Sequence, residues 1–431
     1  MITTHRINSI TTSQQMVAGL QHFLAVIGGI LAAPLIMAQA MNLSVDDTQY
    51  IVSAALILSG VATLIQILRI GFIGSGVLSI QGTSFVFIAP VIYLYQQLPN
   101  DSTALLGLIF GCCAVCAVII FILSLSLPLG WISANMTSTV LLLIGITLVN
   151  TTLQNLINLS TDNTGFKYNG LLIGLTLLMV AGLALNRRPW CRLLSISAGL
   201  VIGSVVAYAL GYSITLSSTS GWFLPEYRYP FAIELSVVLL LLPVFVISSI
   251  ESTGDLTATM KLSGLPVQGP AYEKRLRGGL SADALNSLLA SVFSTFPNTT
   301  FSQNNGVIQL TGITQPRAGV YAAVLLIVAG ILPMVSQWAQ HIPPAVLYSA
   351  TLLMFSMVIL AGCKIFLHQT PGLRDGLIVV ASISLALLLA YTADLIPSDR
   401  LRLLAGFPVA TGAVLVLILD LSLPKAFVLV E

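Results

Sequence analysis

Apolar segments of about 20 residues, the length an α-helix needs to cross the hydrocarbon core of a bilayer, recur along almost the whole chain. Hydrophobic residues make up 56% of the 431 residues and charged residues only 7%. A soluble domain has about 25% charged residues. The pattern therefore predicts an all-α, polytopic protein of the cell membrane (inner or plasma membrane), with the lipid bilayer as its surroundings.

The chain length and short loops allow roughly 12 to 14 spans, and we divide the hydropathy pattern into fourteen. The predicted spans are 15–40, 47–68, 77–97, 103–125, 130–150, 169–186, 193–211, 232–262, 279–296, 300–312, 318–338, 344–362, 374–392 and 403–423. The third and tenth are polar and are interrupted by glycine or proline, such as Gly82, Pro90 and Pro297. Each of these two is predicted to be extended backbone joined to a short helix.

The two interrupted spans are each third in a set of seven, which predicts a seven-plus-seven inverted repeat. Interrupted segments at corresponding positions are the best sequence indication of a transporter's binding site. The alternative is that glycine and proline merely kink two ordinary helices.

Basic residues predict the orientation. With the N-terminus in the cytoplasm, thirteen of them fall inside and four outside, as the positive-inside rule expects. Both termini are then cytoplasmic. The inside set is Arg6, Arg69, Arg187, Arg188, Arg192, Lys261, Lys274, Arg275, Arg277, Arg317, Lys364, Arg374 and Lys425, and the outside set is Lys167, Arg228, Arg400 and Arg402.

Three carboxylates fall inside predicted spans: Glu251, Asp255 and Asp283. Glu251 and Asp255 are four residues apart and share one helix face. A charged side chain at the centre of a spanning helix costs about 2.5–3.5 kcal/mol on insertion scales, which favours a functional role. The alternative is that these carboxylates bond neighbouring amides and hydroxyls and serve packing only. His22, in the first span, is either an interhelix contact or a group that shapes the site.

Other functional classes find little support in the sequence. Cys112, Cys113 and Cys116 resemble a CxxC motif, but no second pair or nearby histidine completes a metal site. We expect them to pack within a helix, and we expect no metal and no cofactor. The net charge of +2 gives no reason to expect a nucleic-acid partner. The polar first residues lack the pattern of a cleaved signal peptide, and no nucleophile–base pair predicts an enzyme.

The polar stretch Phe301–Gly312 carries the motif Gln-Asn-x-Gly-x-x-x-x-Thr-Gly from Gln303 to Gly312. This resembles the signature of the nucleobase–ascorbate transporter family (nucleobase:cation symporter-2), in which all five defined positions match. Four further motifs agree in order: Gln21-His22, Gln81–Phe85, Glu251–Asp255 and Asp283–Asn286. The resemblance therefore covers nearly the whole chain.

The resemblance implies fourteen segments in two inverted repeats, with short antiparallel strands in the third and tenth. It implies a core domain of residues 14–127 and 230–340, and a gate domain of residues 128–213 and 341–425. Substrate would lie between the strands and the eighth segment. Members are typically homodimers driven by protons or sodium.

The same resemblance assigns the main substrate positions to Glu251 and Gln303. A carboxylate accepts two N–H bonds and a carboxamide both accepts and donates, so the pair suits one edge of a nucleobase. Backbone groups at Phe85 and Ser302 would add hydrogen bonds, and the Phe85 and Phe301 rings would stack on the base. His22 would help to shape the site.

Gln303, Asn304 and Asp255 resemble the purine group of the family, with xanthine and uric acid as leading substrates. Uracil carriers tend to have Glu and His at the first and last of these positions. Val86 departs from the Asn or Thr that xanthine and urate carriers often have there. A uracil or other nucleobase permease is therefore one alternative, and an anion transporter or channel of the same architecture is another.

The remaining residues receive roles in coupling and conformational control. We expect Asp255 and Asp283 to couple transport to protons, while Glu251 contacts substrate. Asn304 and Gly306 would shape the strand-to-helix junction, and Thr311 would complete the signature. No cluster of sodium ligands stands out in the sequence, so protons are favoured and sodium stays open.

Overall fold

The computed structural model describes residues 11–98, 102–126, 133–161, 168–212, 222–368 and 370–423. Three of the basic residues used for orientation, Arg6, Lys167 and Lys425, lie outside the described residues, as do the predicted domain limits at 127–128, 213 and 425.

Seventeen helices and two short strands make up the described parts of the chain. The first helices are α1 (Thr12–Ala40), α2 (Val45–Leu68), α3 (Ile88–Gln97), α4 (Ser102–Ser126), α5 (Ala134–Thr161), α6 (Asn169–Ala184), α7 (Pro189–Leu193), α8 (Ser195–Ala209) and α9 (Leu235–Leu262). The others are α10 (Pro270–Val292), α11 (Gln303–Thr311), α12 (Pro316–Ile331), α13 (Pro333–Gln340), α14 (Pro344–His368), α15 (Leu373–Tyr391), α16 (Asp399–Ala405) and α17 (Pro408–Ser422). The strands are β1 (Gln81–Thr83) and β2 (Asn298–Thr300).

Seven helices of the described residues are long and apolar enough to cross a membrane, and up to nine spans result if each of two bent pairs is one span. The predicted all-α polytopic membrane class is therefore confirmed at this coarser level. The bent pairs are α12 with α13, at 76°, and α16 with α17, at 78°. Each had been predicted as one span, 318–338 and 403–423. The second helix of each pair begins with a proline, Pro333 or Pro408, which lacks the N–H that a continuous helix needs there.

The two strands are the centre of the architecture. They pair antiparallel, with Gln81 opposite Thr300 and Thr83 opposite Asn298. Each strand is followed by a short helix: β1 by a 3₁₀ turn and α3, and β2 by α11. Extended backbone joined to a short helix is what the sequence predicted for both segments. The extended part of the second segment precedes the polar stretch that begins at Phe301, and most of that stretch is helix.

Two helices run well past their predicted limits. α10 begins at Pro270, nine residues before the predicted 279, because Gly269 takes a positive φ of 83° and Pro270 suits the first helical position. α5 continues to Thr161, eleven residues past the predicted 150. Its last turns carry the amides Gln154, Asn155 and Asn158, which lowered the hydropathy of the segment without ending the helix.

Helix pairs distant in sequence pack together: α2 lies on α12, α4 on α10 and α5 on α14. Near the C-terminal end, α15 lies on α17. Cys112, Cys113 and Cys116 are free and buried on α4. The Sγ atoms of Cys112 and Cys116 lie 3.7 and 3.6 Å from backbone carbonyls of Glu234 and Val238, at the contact of α4 with α9. The cysteines therefore occupy packing positions.

Candidate functional site

The strand pair brings the first turns of two short helices to one place. Outside the strands proper, the Phe301 amide donates to the Ile80 carbonyl at 3.0 Å, and the Ser84 amide donates to the Pro297 carbonyl at 2.9 Å. Neither Ser84 nor Ser302 uses its side chain to cap the helix that follows it. Since the first N–H groups of a helix lack intrahelical acceptors, this region offers donors to an acceptor-rich ligand.

Helix α9 is fixed against β2 and α11 by hydroxyl and amide contacts. The Ser252 and Thr299 hydroxyl oxygens lie 3.0 Å apart. About two turns further along α9, the Thr259 hydroxyl donates to Asn305 Oδ1 at 2.6 Å. Asn305 Nδ2 in turn donates to the Asp255 carbonyl at 3.3 Å. These contacts hold the polar face of α9 beside the strand-to-helix junction.

Two predicted residues on α9 carry buried carboxylate atoms without partners. Glu251 Oε2 and Asp255 Oδ2 are both buried, and neither has a hydrogen-bond partner among the described residues. Glu251 immediately precedes Ser252, which contacts β2, so the turn of α9 that carries Glu251 lies against the strand pair. Buried polar atoms are satisfied in the large majority of cases, so an unpaired carboxylate at this position is a strong indication of a ligand site.

Two residues at the start of α11, the helix that packs against α9, reach accessible space. Ser302 is exposed and Gln303 is half-buried, as is Glu251. Glu251 and Gln303 therefore stand on the two docked elements, α9 and α11, as the sequence predicted. Together a carboxylate acceptor and a carboxamide provide two acceptors and a donor pair for one edge of a planar base.

Asp283 lies behind the strands rather than beside the accessible space. Its Oδ1 accepts from Gln66 Nε2 at 3.1 Å, and its Oδ2 accepts from the Thr300 hydroxyl at 3.3 Å. Gln81 Nε2 donates to the same Thr300 hydroxyl at 2.9 Å. Asp283 is thus linked to both strands and to α2. Gln66 and Thr300 were missed by the sequence analysis, because neither carries a motif.

The Phe85 and Phe301 rings stack on each other instead of standing apart. Their centroids are 5.7 Å apart with an interplanar angle of 28°. A base between them would need about 7 Å, that is, two contacts of about 3.5 Å. In this structure the two rings therefore lie too close together to hold a base between them, and the prediction that both stack on the base faces stays a prediction.

A third ring, Phe355, joins Phe85 and Phe301 to form an aromatic cluster, and Gly29 packs against it. Phe355 of α14 meets Phe85 edge-on at 6.2 Å. A Cβ on Gly29 of α1 would lie 3.0 Å from the Phe301 ring, so the rings pack directly on the α1 backbone. Phe355 lies within an apolar segment, and no signal in the sequence distinguishes it from its neighbours.

His22 is fully buried on α1, and neither ring nitrogen has a hydrogen-bond partner within the part of the chain that the structure describes. It lies on the same face as Gly29, seven residues earlier, about 10 Å along the helix. His22 is therefore separated from the aromatic cluster by two turns. The described contacts give no support to the alternative that it makes an interhelix hydrogen bond.

The other signature residues form the frame of α11. Asn304 Nδ2 donates to the Leu78 carbonyl at 2.7 Å, which ties α11 to the approach to β1. A Cβ on Gly306 would lie 2.6 Å from Leu193 Cδ2, so glycine permits the close approach of α7. The Thr311 hydroxyl donates to the Val307 carbonyl at 2.9 Å, and Gly312 ends the helix with φ of 68°. Of the signature residues, Asn304 is buried, Gln303, Gly306 and Thr311 are half-buried, and Gly312 is exposed.

Comparison with known proteins decides the family. A model with the description "Permease family" (Xan_ur_permease) matches residues 13–395. The chain belongs to the nucleobase–ascorbate transporter family. Membership in this family makes the chain a multi-pass membrane permease and not an enzyme.

Relatives within the nucleobase–ascorbate transporter family span most of the chain. Xanthine permease XanP of Escherichia coli (strain K12) is 36% identical over 430 residues, which is 95% of this chain and 92% of the relative. Xanthine permease XanQ of the same strain is 33% identical, covering 96% of this chain and 92% of the relative. A uric acid-xanthine permease of Emericella nidulans is 30% identical, covering 89% and 73%.

Solved structures share the fold at low sequence identity. The transmembrane domain of the cyanobacterial bicarbonate transporter BicA superposes with a TM-score of 0.62 at 15% identity, covering 92% of this chain and 96% of that one. The murine anion transporter Slc26a9 superposes with a TM-score of 0.60 at 12% identity, covering 97% and 69%. These likenesses concern the fold alone.

Proposed function

We propose that this permease imports a purine nucleobase, xanthine or uric acid, by proton symport with alternating access. The single observation that carries the proposal is the buried, unpaired Glu251 carboxylate oxygen on α9, the helix that the Thr259–Asn305 hydrogen bond joins to α11, where Gln303 is half-buried at the first position. The curated relatives named for xanthine and uric acid support the substrate class.

The chemistry of the two residues fits one edge of a purine-dione. The Glu251 carboxylate accepts ring N–H groups, and the Gln303 amide donates to a ring carbonyl and accepts from an adjacent N–H. Uncapped N–H groups near Ser302 and Phe85 add donors for a further carbonyl. Hydrogen bonds to a charged group stabilise by about 1.5–3 kcal/mol each, so Glu251 would contribute most of the affinity.

For coupling, we assign proton binding to the carboxylates of α9 and α10. Asp255 Oδ2 is unpaired, as is Glu251 Oε2, whereas Asp283 links both strands through Thr300 and Gln81. A proton arriving at Asp283 would remove an acceptor from that network, which connects coupling to the strand geometry of the site. One charge moving through 100 mV yields about 2.3 kcal/mol, about fiftyfold accumulation at about 1.4 kcal/mol per tenfold.

The membrane arrangement belongs to the same proposal: fourteen segments as a seven-plus-seven inverted repeat, both termini in the cytoplasm, and a homodimer. The matched positions of β1 and β2, each before a short helix, support the repeat. Contacts of α2 with α12 and α4 with α10 join the two halves of the proposed core domain, and contacts of α5 with α14 join those of the gate domain.

The fold likeness to anion transporters raises a second candidate, an anion carrier. Two helix N-termini directed at one place suit an anion. The Glu251 carboxylate opposes this, because its unpaired oxygen accepts hydrogen bonds and an inorganic anion such as sulfate has no N–H groups to donate to it. We therefore favour a base whose N–H groups the carboxylate can bind.

Uptake by energised membrane vesicles tests the proposal. We expect saturable uptake of labelled xanthine that a protonophore abolishes and that replacing sodium with choline leaves unchanged. Unlabelled uric acid, hypoxanthine, guanine, adenine and uracil serve as competitors, and bicarbonate or sulfate as anionic controls. Uptake that needs sodium would contradict proton coupling, and competition by uracil or an anion but no purine would contradict the substrate class.

A further inference from the structure

A cavity of about 550 Å³ lies at the end of the bundle where α1 finishes, away from Glu251 and Gln303. It is enclosed by α1, α2, α5, α13 and α14. Its polar lining is dominated by carboxamides: Gln39, Asn42, Asn155, Asn158 and Gln340. Its volume lies within the range of about 300–1,000 Å³ that is usual for small-molecule sites.

This cavity lies beyond the aromatic cluster, toward the C-terminal end of α1. Tyr348, which lines the cavity, lies seven residues before Phe355 on α14, about 10 Å along the helix. On α1, Gln39 lies ten residues after Gly29, which contacts the Phe301 ring, about 15 Å away. The cavity therefore lies about 10–15 Å from the stacked rings along α1 and α14, and neither Glu251 nor Gln303 lines it.

Two of the carboxamide side chains that line this cavity have buried atoms without hydrogen-bond partners in the described ranges. Gln39 Oε1 and both amide atoms of Gln340 are buried and lack hydrogen-bond partners in the described ranges. Buried amides are normally satisfied, and an unsatisfied one destabilises the fold. Two such residues on different helices at one cavity indicate that a ligand completes their hydrogen bonds.

The lining also defines the chemical class of the ligand. No Asp, Glu, Lys or Arg lines the cavity, and the Nδ1 atom of His341, which does line it, lies 2.6 Å from the Gln337 carbonyl, so the cavity suits a neutral molecule. Carboxamides both donate and accept, which suits a ligand with N–H and carbonyl groups on one rim. Leu35, Leu43, Leu159 and the Tyr348 ring supply apolar walls for a flat ring system.

We propose that this cavity is a second binding site for a neutral nucleobase, separate from the Glu251 site. The choice of nucleobase rests on the proposed function. With the N-terminus in the cytoplasm, the end of α1 faces outward, so a base here would be bound before the aromatic cluster opens. The site would then hold one base outside the rings while the Glu251 site is occupied or closed.

Equilibrium binding of labelled xanthine to the purified full-length protein in lipid nanodiscs tests this. We expect two molecules bound per chain in the wild type, one in Glu251→Gln and one in Gln340→Leu. Gln39→Leu serves as a second variant, and the exposed Gln97→Leu as a matched control that keeps two. Gln340→Leu removes no hydrogen bond of the described residues, so it should fold, and xanthine should still raise its melting temperature through the Glu251 site.

One bound xanthine in the wild type, unchanged by Gln340→Leu and Gln39→Leu but lost in Glu251→Gln, would overturn the second site and leave the proposed function standing. Absence of xanthine binding to the wild type, together with absence of purine uptake, would overturn both. Two sites that both persist in Gln340→Leu and in Gln39→Leu would also overturn this location.

Discussion

Carboxylates near the helix ends and carboxylates inside the bundle differ in whether they form ion pairs. Near the ends, Asp47 pairs with Arg228 at 3.0 Å, and Asp420 pairs with Arg374 at 3.0 Å. Inside, Glu251, Asp255 and Asp283 make no ion pair with any described residue. Asp283 is bonded to neutral side chains, and the other two keep an unpaired oxygen.

The contrast separates structural acids from functional ones. A carboxylate at a helix end is stabilised by a cation and by partial exposure. A carboxylate within a spanning segment costs free energy unless a proton, a hydrogen-bond donor or a ligand neutralises or binds it. A chain that keeps two unpaired carboxylate oxygens on one face of α9 therefore needs a substrate or a proton there. The predictions below remove one feature at a time.

The largest effect is expected from Glu251→Gln. The substitution keeps the size of the side chain, replaces one acceptor oxygen with an NH₂ donor and removes the charge, so we expect the apparent affinity for xanthine to fall about 10- to 100-fold, from the loss of about 1.5–3 kcal/mol. Saturable uptake in vesicles measures this, with membrane protein quantified by immunoblot. The exposed Asp46→Asn is the matched control. Wild-type kinetics in Glu251→Gln would contradict the assignment.

Arg374→Ala should lower the stability of the protein, whereas Glu251→Gln should lower its affinity for xanthine. Arg374 donates to Asp420 and to the carbonyls of Asp420 and Leu423 at the end of α17. Its loss leaves these acceptors unpaired, at about 1–3 kcal/mol, so the melting temperature should fall while the affinity for xanthine is retained.

Arg400→Ala is the control for Arg374→Ala, since Arg400 is exposed and makes no ion pair among the described residues. A normal melting temperature with reduced xanthine affinity in Arg374→Ala would reverse the proposed division between structural and functional groups.

Gln303→Glu should change the choice of base. A second carboxylate at the start of α11 removes the amide donor and adds an acceptor, which favours a base with a different donor pattern. One hydrogen bond contributes about 0.5–1.5 kcal/mol, so the ratio of xanthine to uracil affinity should change about three- to tenfold. Gln309→Glu, exposed on the same helix, is the control. An unchanged ratio would remove Gln303 from the site.

The smallest effect is expected from Gly306→Ala. The new Cβ would lie 2.6 Å from Leu193 Cδ2, the flexible end of a side chain, so the clash can be relieved in part. We expect a reduction of a few-fold in the maximal rate of uptake, at a cost of about 1 kcal/mol. Adding Leu193→Ala should restore the rate. Failure of this rescue would show that α7 does not limit the movement of α11.

Much of the fold was accessible from the sequence, because long apolar segments and glycine- or proline-interrupted ones have a clear signature. Helices α2, α14 and α15 begin within two residues of their predicted first residues, and both strand-to-helix junctions were expected. The breaks before Pro333 and Pro408 were missed, because apolar residues continue on both sides of each and hydropathy does not register a bend.

The site was only partly predictable. Glu251, Asp255 and Asp283 were proposed because carboxylates are conspicuous among apolar residues, and Gln303 was proposed through the family resemblance. The link from Asp283 to Gln66 joins residues 217 apart, and no spacing rule reports such a contact. The stacking of Phe85 on Phe301 likewise depends on the strand register, which brings residues from the two halves of the chain together.

The most direct test of the central claim is protection of a cysteine at the site. In a Cys191→Ser, Cys363→Ser background, Ser302→Cys places a thiol at an exposed position beside Gln303, while the other three cysteines are buried. We expect xanthine to slow maleimide labelling of Ser302→Cys in a saturable manner, and to lose this effect when Glu251→Gln is added. Equal labelling with and without xanthine, in a variant that still transports it, would contradict a substrate site between α9 and α11.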